Sequence, residues 1–71
     1  MMKYKVMSLR NSIIKNLDFI SEKYDNIHSI LTDLERMIHL DMQHSLMLQW
    51  WCENESQIDI INEILQRKEI S

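Results

Sequence analysis

With 71 residues the chain is long enough for a single domain, and it contains no glycine, no proline and one cysteine, Cys52. Few tight turns and few helix breaks are possible without glycine and proline, so the composition predicts an all-α protein. A single cysteine excludes a disulfide framework and suits a reducing compartment. The net charge is −3, with five basic against two acidic side chains over residues 1–24 and three against nine over residues 25–71. An acidic chain with unclustered cations does not favour nucleic-acid binding.

The first predicted element is a long helix over residues 12–40. Its apolar residues alternate spacings of four and three, which places them on one stripe that packs against another helix. They are Ile13, Leu17, Ile20, Tyr24, Ile27, Leu31, Leu34 and Ile38. Residues 1–11 continue the pattern but contain Ser8 and Asn11, which favour helix starts. This segment could therefore be a short N-terminal helix, an arm, or a continuation of the long helix.

A change in periodicity predicts a turn over residues 41–45, with Asp41 capping the next helix. The second helix, over residues 46–69, has its own apolar stripe, interrupted by the polar residue Asn54. This stripe consists of Met47, Trp51, Ile58, Ile61 and Leu65. The two stripes together are the expected intramolecular core, and the fold expected is an antiparallel, coiled-coil-like helical hairpin in one domain spanning residues 1–71.

Both predicted helices carry further apolar residues beside their stripes. These flanking residues are Phe19, Ile30, Met37, Leu46, Trp50 and Ile64. A two-helix hairpin covers one face of each arm, so the flank would be exposed in a lone monomer and is the candidate partner interface. A hairpin with that flank exposed should be poorly folded or self-associated on its own. Alternatively, a short N-terminal helix folds over the flank.

The titratable residues do not form a recognisable catalytic or metal-binding pattern. His39 and His44 are five residues apart across the turn, whereas two helical ligands need a spacing of three or four. A partly buried, unreactive thiol is expected at Cys52, and a solvated acidic face at Asp59 and Glu63. No cofactor, metal site or enzymatic activity is therefore predicted. The longest apolar run and the first residues predict neither a membrane span nor a secretory signal, so a cytoplasmic location is expected.

The segment from Gln49 to Leu65 resembles the small needle co-chaperones of bacterial type III secretion systems, the YscE-like proteins. The matching features are an aromatic residue early in the last helix, Trp51, a polar stretch containing Glu55 and Ser56, and an Ile-rich ending. The resemblance covers about 45 residues, from His28 onward. This family has glycine at the interhelical turn in some members, and this chain does not.

The resemblance implies a cytoplasmic helical hairpin that stabilises a larger, tetratricopeptide-like chaperone, which in turn keeps the needle subunit monomeric. The function expected is thus that of a non-catalytic protein-binding subunit with a protein partner. The alternative is a small self-associating regulator, in which two hairpins form a four-helix bundle.

Overall fold

The computed structural model describes residues 1–70, with side chains through Lys68. Within this range the chain is all-α, as predicted. Its five helices are α1 (Met2–Lys15), α2 (Leu17–Ser21), α3 (Ile27–His39), α4 (His44–Glu53) and α5 (Glu55–Ile70).

Side-chain contacts define an antiparallel hairpin with α2 and α3 in one arm and α4 and α5 in the other. Nearest the turn, Asp33 contacts Trp50 across the hairpin. Farther out, Tyr24 contacts Gln57, and beyond them Asn16 contacts Lys68. Each step back along the first arm is matched by a similar step forward along the second, so the two arms keep one register. The hairpin expectation describes these two arms correctly.

The two long helices expected in these arms are each interrupted, which corrects the predicted boundaries of 12–40 and 46–69. Asn16 ends α1 and Asn54 ends α4, and at each the side-chain amide donates to a carbonyl four residues back, at 2.8 Å and 2.9 Å. Asparagine competes in this way for backbone hydrogen bonds and thereby weakens a helix locally. A second break in the first arm lies over residues 22–26, between α2 and α3.

The hairpin turn is closed by Asp41, which takes the left-handed backbone conformation at φ 49°. Its N–H donates to the carbonyl of Ile38, and the N–H of Met42 donates to that of Met37. This pair of bonds is a Schellman motif, which usually uses glycine because the left-handed conformation strains other residues. In a chain without glycine, aspartate takes this position. Asp41 therefore ends α3 and does not cap α4, whose N-cap residue is Gln43.

The N-terminal segment is helical from Met2, and α1 packs against α3 and α4. Two ion pairs tie it antiparallel to α3: Lys3 with Asp41 at 2.8 Å and Arg10 with Glu35 at 2.9 Å. Its own apolar face enters the core through Met2, Val6, Leu9 and Ile13. A third helix thus packs against the hairpin. The alternative in which this helix covers the predicted flank holds only in part, because Leu46 remains 50% exposed.

The predicted core positions all pack in or against the core, but to different depths. Fully or nearly fully buried are Ile13, Ile20, Ile27, Leu34, Met47, Ile58 and Ile61. Partly buried against them are Leu17, Tyr24, Leu31, Ile38, Trp51 and Leu65. The heptad spacing therefore identified the buried side of the hairpin even where the helix itself is broken.

Candidate protein-interaction groove

An open groove of about 270 Å³ lies between α3 and α4, next to the hairpin turn. Met37 from α3 and Met42 from the turn lie at its turn end, and the Schellman motif holds these two residues together. The lining from α4 consists of Leu46, Gln49, Trp50 and Glu53, and α3 adds Asp33 and Arg36. No residue of α1 lines the groove, so the N-terminal helix leaves it accessible.

Trp50 is the largest side chain in the groove, and the fold holds it in place. Its indole Nε1–H donates to Oδ2 of Asp33 on the opposite arm at 3.0 Å. Trp51 packs edge-on against it, with ring centroids 6.4 Å apart and an interplanar angle of 68°. Both tryptophans are half-buried and pack against the core. Trp50 is thus a fixed aromatic residue with part of its surface in solvent, which is typical of binding hot spots.

Leu46 provides the exposed apolar surface beside Trp50. Half of Leu46 is accessible to solvent (50%), whereas its neighbour Met47 is buried at 1%. Leu48, on the same helix, is similarly exposed at 44% but does not line the groove. Thioether and leucine side chains around a tryptophan form an adaptable apolar surface.

The predicted flank is only partly a surface, and this corrects the sequence interpretation. Met37, Leu46 and Trp50 come together in the groove. Met37 is only 3% exposed, so it lies at the bottom of the groove and offers little surface to a partner. Ile30 and Ile64 are core residues, so their expected exposure is wrong. Because α1 supplies a third helix, it leaves much less apolar surface uncovered than a two-helix hairpin would.

Phe19, the remaining flank residue, lies apart from the groove. Its half-buried ring has Lys23 at 4.7 Å and Lys68 at 5.5 Å from the ring centroid. These distances are within the range of cation–π contacts. Phe19 therefore packs near the open end of the hairpin and does not share a surface with Trp50.

Sequence reasoning did not identify Asp33, Met42 or Gln49 as groove residues. Asp33 and Met37 are four apart on one helix face, which could have placed them together. Met42 could have been found by recognising the Schellman motif, whose apolar contact joins the third residue from the helix end to the second residue beyond it. That motif is hidden here because aspartate stands in the usual glycine position.

The remaining side chains that could bind a metal or react are dispersed over the surface. His28, His39 and His44 are exposed, and among the described residues no three potential ligands are grouped for a metal ion. Cys52 is a free, exposed thiol, so the partly buried position expected for it is wrong. Trp51 packs against the core, so Cys52, the next residue of α4, lies on the outer side of that helix. No helix in the described part of the chain is long and apolar enough to cross a membrane.

No family model, curated protein or solved structure matches the chain. The resemblance to needle co-chaperones thus rests only on the residues of this chain that suggested it. In the structure these residues are divided, since Trp51 lies in α4 while Glu55 and Ser56 open α5 beyond the break at Asn54.

Proposed function

We propose that the protein is a non-catalytic binding subunit that holds a helical partner protein in the groove between α3 and α4. The observation that supports this most strongly is Trp50, a partly buried aromatic side chain fixed by a hydrogen bond to Asp33 and bordered by exposed Leu46. A preformed apolar groove binds at low entropic cost because its side chains are already ordered. A helix lying between two helices is a common way of filling such a groove.

The more specific role that we propose comes from the family resemblance. In that role the chain is a cytoplasmic co-chaperone, and the groove holds a helix of a larger, tetratricopeptide-like chaperone of a type III secretion needle subunit. A small domain with an exposed, partly apolar groove suits a subunit that stabilises a larger one. The needle subunit would then contact the larger chaperone and not this chain.

Self-association into a four-helix bundle is the second candidate. The exposed leucines of α4, Leu46 and Leu48, favour it. A bundle built on the predicted flank would also need Ile30 and Ile64, which are already buried in the core. A dimer built on that flank would therefore have to open the core, which the binding-subunit proposal does not require.

Two exposed leucines on one helix provide a matched test. The tagged chain and its Leu46→Ala and Leu48→Ala variants would be used to recover partners from the native host, with mass spectrometry to identify them. We expect a helical chaperone together with a needle-type subunit. We also expect Leu46→Ala, within the groove, to weaken the complex about fivefold to tenfold and Leu48→Ala to leave it unchanged.

Other outcomes of this experiment would contradict the proposal. Recovery of nothing but further copies of the chain would support the self-associating regulator. Equal binding by both leucine variants would exclude the groove as the interface. Circular dichroism of each variant would check that the fold is retained.

A further inference from the structure

The groove has an acidic end whose charges are not neutralised within the fold. Oδ2 of Asp33 accepts the Trp50 indole hydrogen, and among the described side chains no other hydrogen bond or ion pair engages this carboxylate. Glu53, one turn beyond Trp50 on α4, accepts only a side-chain amide hydrogen from Gln49 at 3.1 Å. The ion pairs formed by the described residues involve Asp41 and Glu35, so both groove acids still have capacity for a cation.

Of the side chains that the structure describes, Arg36 alone among the basic residues lines the groove. It follows Asp33 by three positions on α3 and precedes Met37, which places it toward the turn. The charge of the groove therefore changes along its length. It is negative toward the far end, at Asp33 and Glu53, and positive nearer the turn, at Arg36. A bound segment would meet opposite charges at the two ends, and this would fix its direction.

The charge of the rest of the chain reinforces the acidic end. Residues 25–71, which include both walls of the groove, have an excess of six acidic side chains. Two N-terminal cations that might offset them, Lys3 and Arg10, are already paired with Asp41 and Glu35. A second copy of the chain would bring the same acidic groove toward this one, which disfavours self-association there.

From these charges we infer that the groove receives a basic amphipathic helix of the partner. Its apolar residues pack on Trp50 and Leu46, and a lysine or arginine lies against Asp33 and Glu53. This inference rests on the proposed function of the groove and adds the chemistry of the segment that it binds. A cation placed beside a half-buried carboxylate forms a stronger hydrogen bond than a neutral donor would.

Three synthetic amphipathic peptides of about 15 residues, long enough to form a helix on binding, would test this. They share one leucine face and carry lysine, glutamine or glutamate on the flanking positions. At low salt we expect the lysine peptide to bind on the order of tenfold more tightly than the glutamate peptide. The difference should largely disappear at about 1 M salt, where the Debye length falls to about 3 Å.

Charge variants locate the effect within the groove. Asp33→Asn, which keeps an acceptor for the indole, and Glu53→Gln should each reduce the preference for lysine, and Arg36→Gln should increase it. Glu63→Gln makes the same charge change on the exposed surface of α5 and is the matched control, so it should leave the preference unchanged.

The results separate this inference from the function on which it rests. If the three peptides bind equally and Leu46→Ala weakens all of them, the groove binds helices but the basic preference is wrong. If Glu63→Gln reduces the preference as much as Glu53→Gln does, net charge and not the groove explains it, and the inference also fails. Binding that Leu46→Ala leaves unchanged, or no binding by the lysine peptide, would contradict both the inference and the groove.

Discussion

Two adjacent isoleucines of α1 test whether the N-terminal helix completes the core. Ile13 is fully buried (0% exposed), and Ile14 is 49% exposed. Replacing each by alanine removes the same atoms from neighbouring positions of one helix. The two variants therefore share their change in composition and helix propensity, and they differ in burial.

The structure gives different magnitudes for the two variants. Ile13→Ala removes buried methyl and methylene groups and leaves a cavity, so it should cost about 3 kcal/mol. Ile14→Ala removes groups that are half in solvent and leaves no cavity, so about 1 kcal/mol or less is expected. A domain of this size has a total unfolding free energy of roughly 4–11 kcal/mol. The first substitution should thus lower the melting temperature by about 12–24 °C.

Urea and thermal unfolding followed by circular dichroism would measure both values. The parent chain should unfold as a cooperative monomer, because α1 covers the surface that a two-helix hairpin would expose. Equal costs for the two substitutions would show that α1 does not dock by the face described here. The same conclusion would follow if the parent chain lacked a cooperative transition.

Further substitutions test the turn, the hairpin register and the second tryptophan. Lys3 lowers the pKa of Asp41, first through its hydrogen bond and then through its charge, so the pair stabilises the fold above the ordinary aspartate pKa of about 4. That stabilisation is lost as the pH falls through the lowered pKa. Asparagine tolerates the left-handed backbone. Asp41→Asn should thus reduce the urea midpoint of unfolding at neutral pH and have no effect on it in strong acid. Tyr24→Phe removes a 2.5 Å hydrogen bond to Gln57 and should cost about 1 kcal/mol in urea unfolding, so no measurable cost would contradict the register. Trp51→Ala should lower the unfolding free energy by about 3 kcal/mol yet reduce peptide affinity less than Trp50→Ala does, and a loss of affinity without a loss of stability would reverse the two tryptophan roles.

The buried side of the helices could be predicted from the sequence because hydrophobic burial follows residue spacing directly. Ile13, Ile20, Ile27 and Leu34 repeat every seven residues, and each is fully buried. The all-α fold likewise follows from the lack of glycine and proline. These features depend on many residues acting together, and no single position can overturn them.

The breaks and the closing helix depend on single side chains and on tertiary contacts. At Asn16 and Asn54, where helices end, the side-chain amide donates one hydrogen bond to a backbone carbonyl. An asparagine within an amphipathic pattern is compatible with either a continuous or a broken helix. The docking of α1 against α3 and α4 was an open alternative because residue spacing does not tell which face of a helix another helix covers. Asp33 could not be assigned to the candidate site from the sequence, because its place opposite Trp50 depends on the register of the two arms.

The claim that the groove between α3 and α4 is the binding surface can be tested directly by nuclear magnetic resonance. An isotope-labelled chain would be titrated with the lysine-flanked peptide while its amide and indole signals are followed. The largest shifts are expected at Leu46, Met37 and the Trp50 indole, with little change at Ile60 and Glu63 on α5. Shifts concentrated on α5 or on the outer face of α1, with the Trp50 indole unmoved, would contradict the assignment of this groove as the interface.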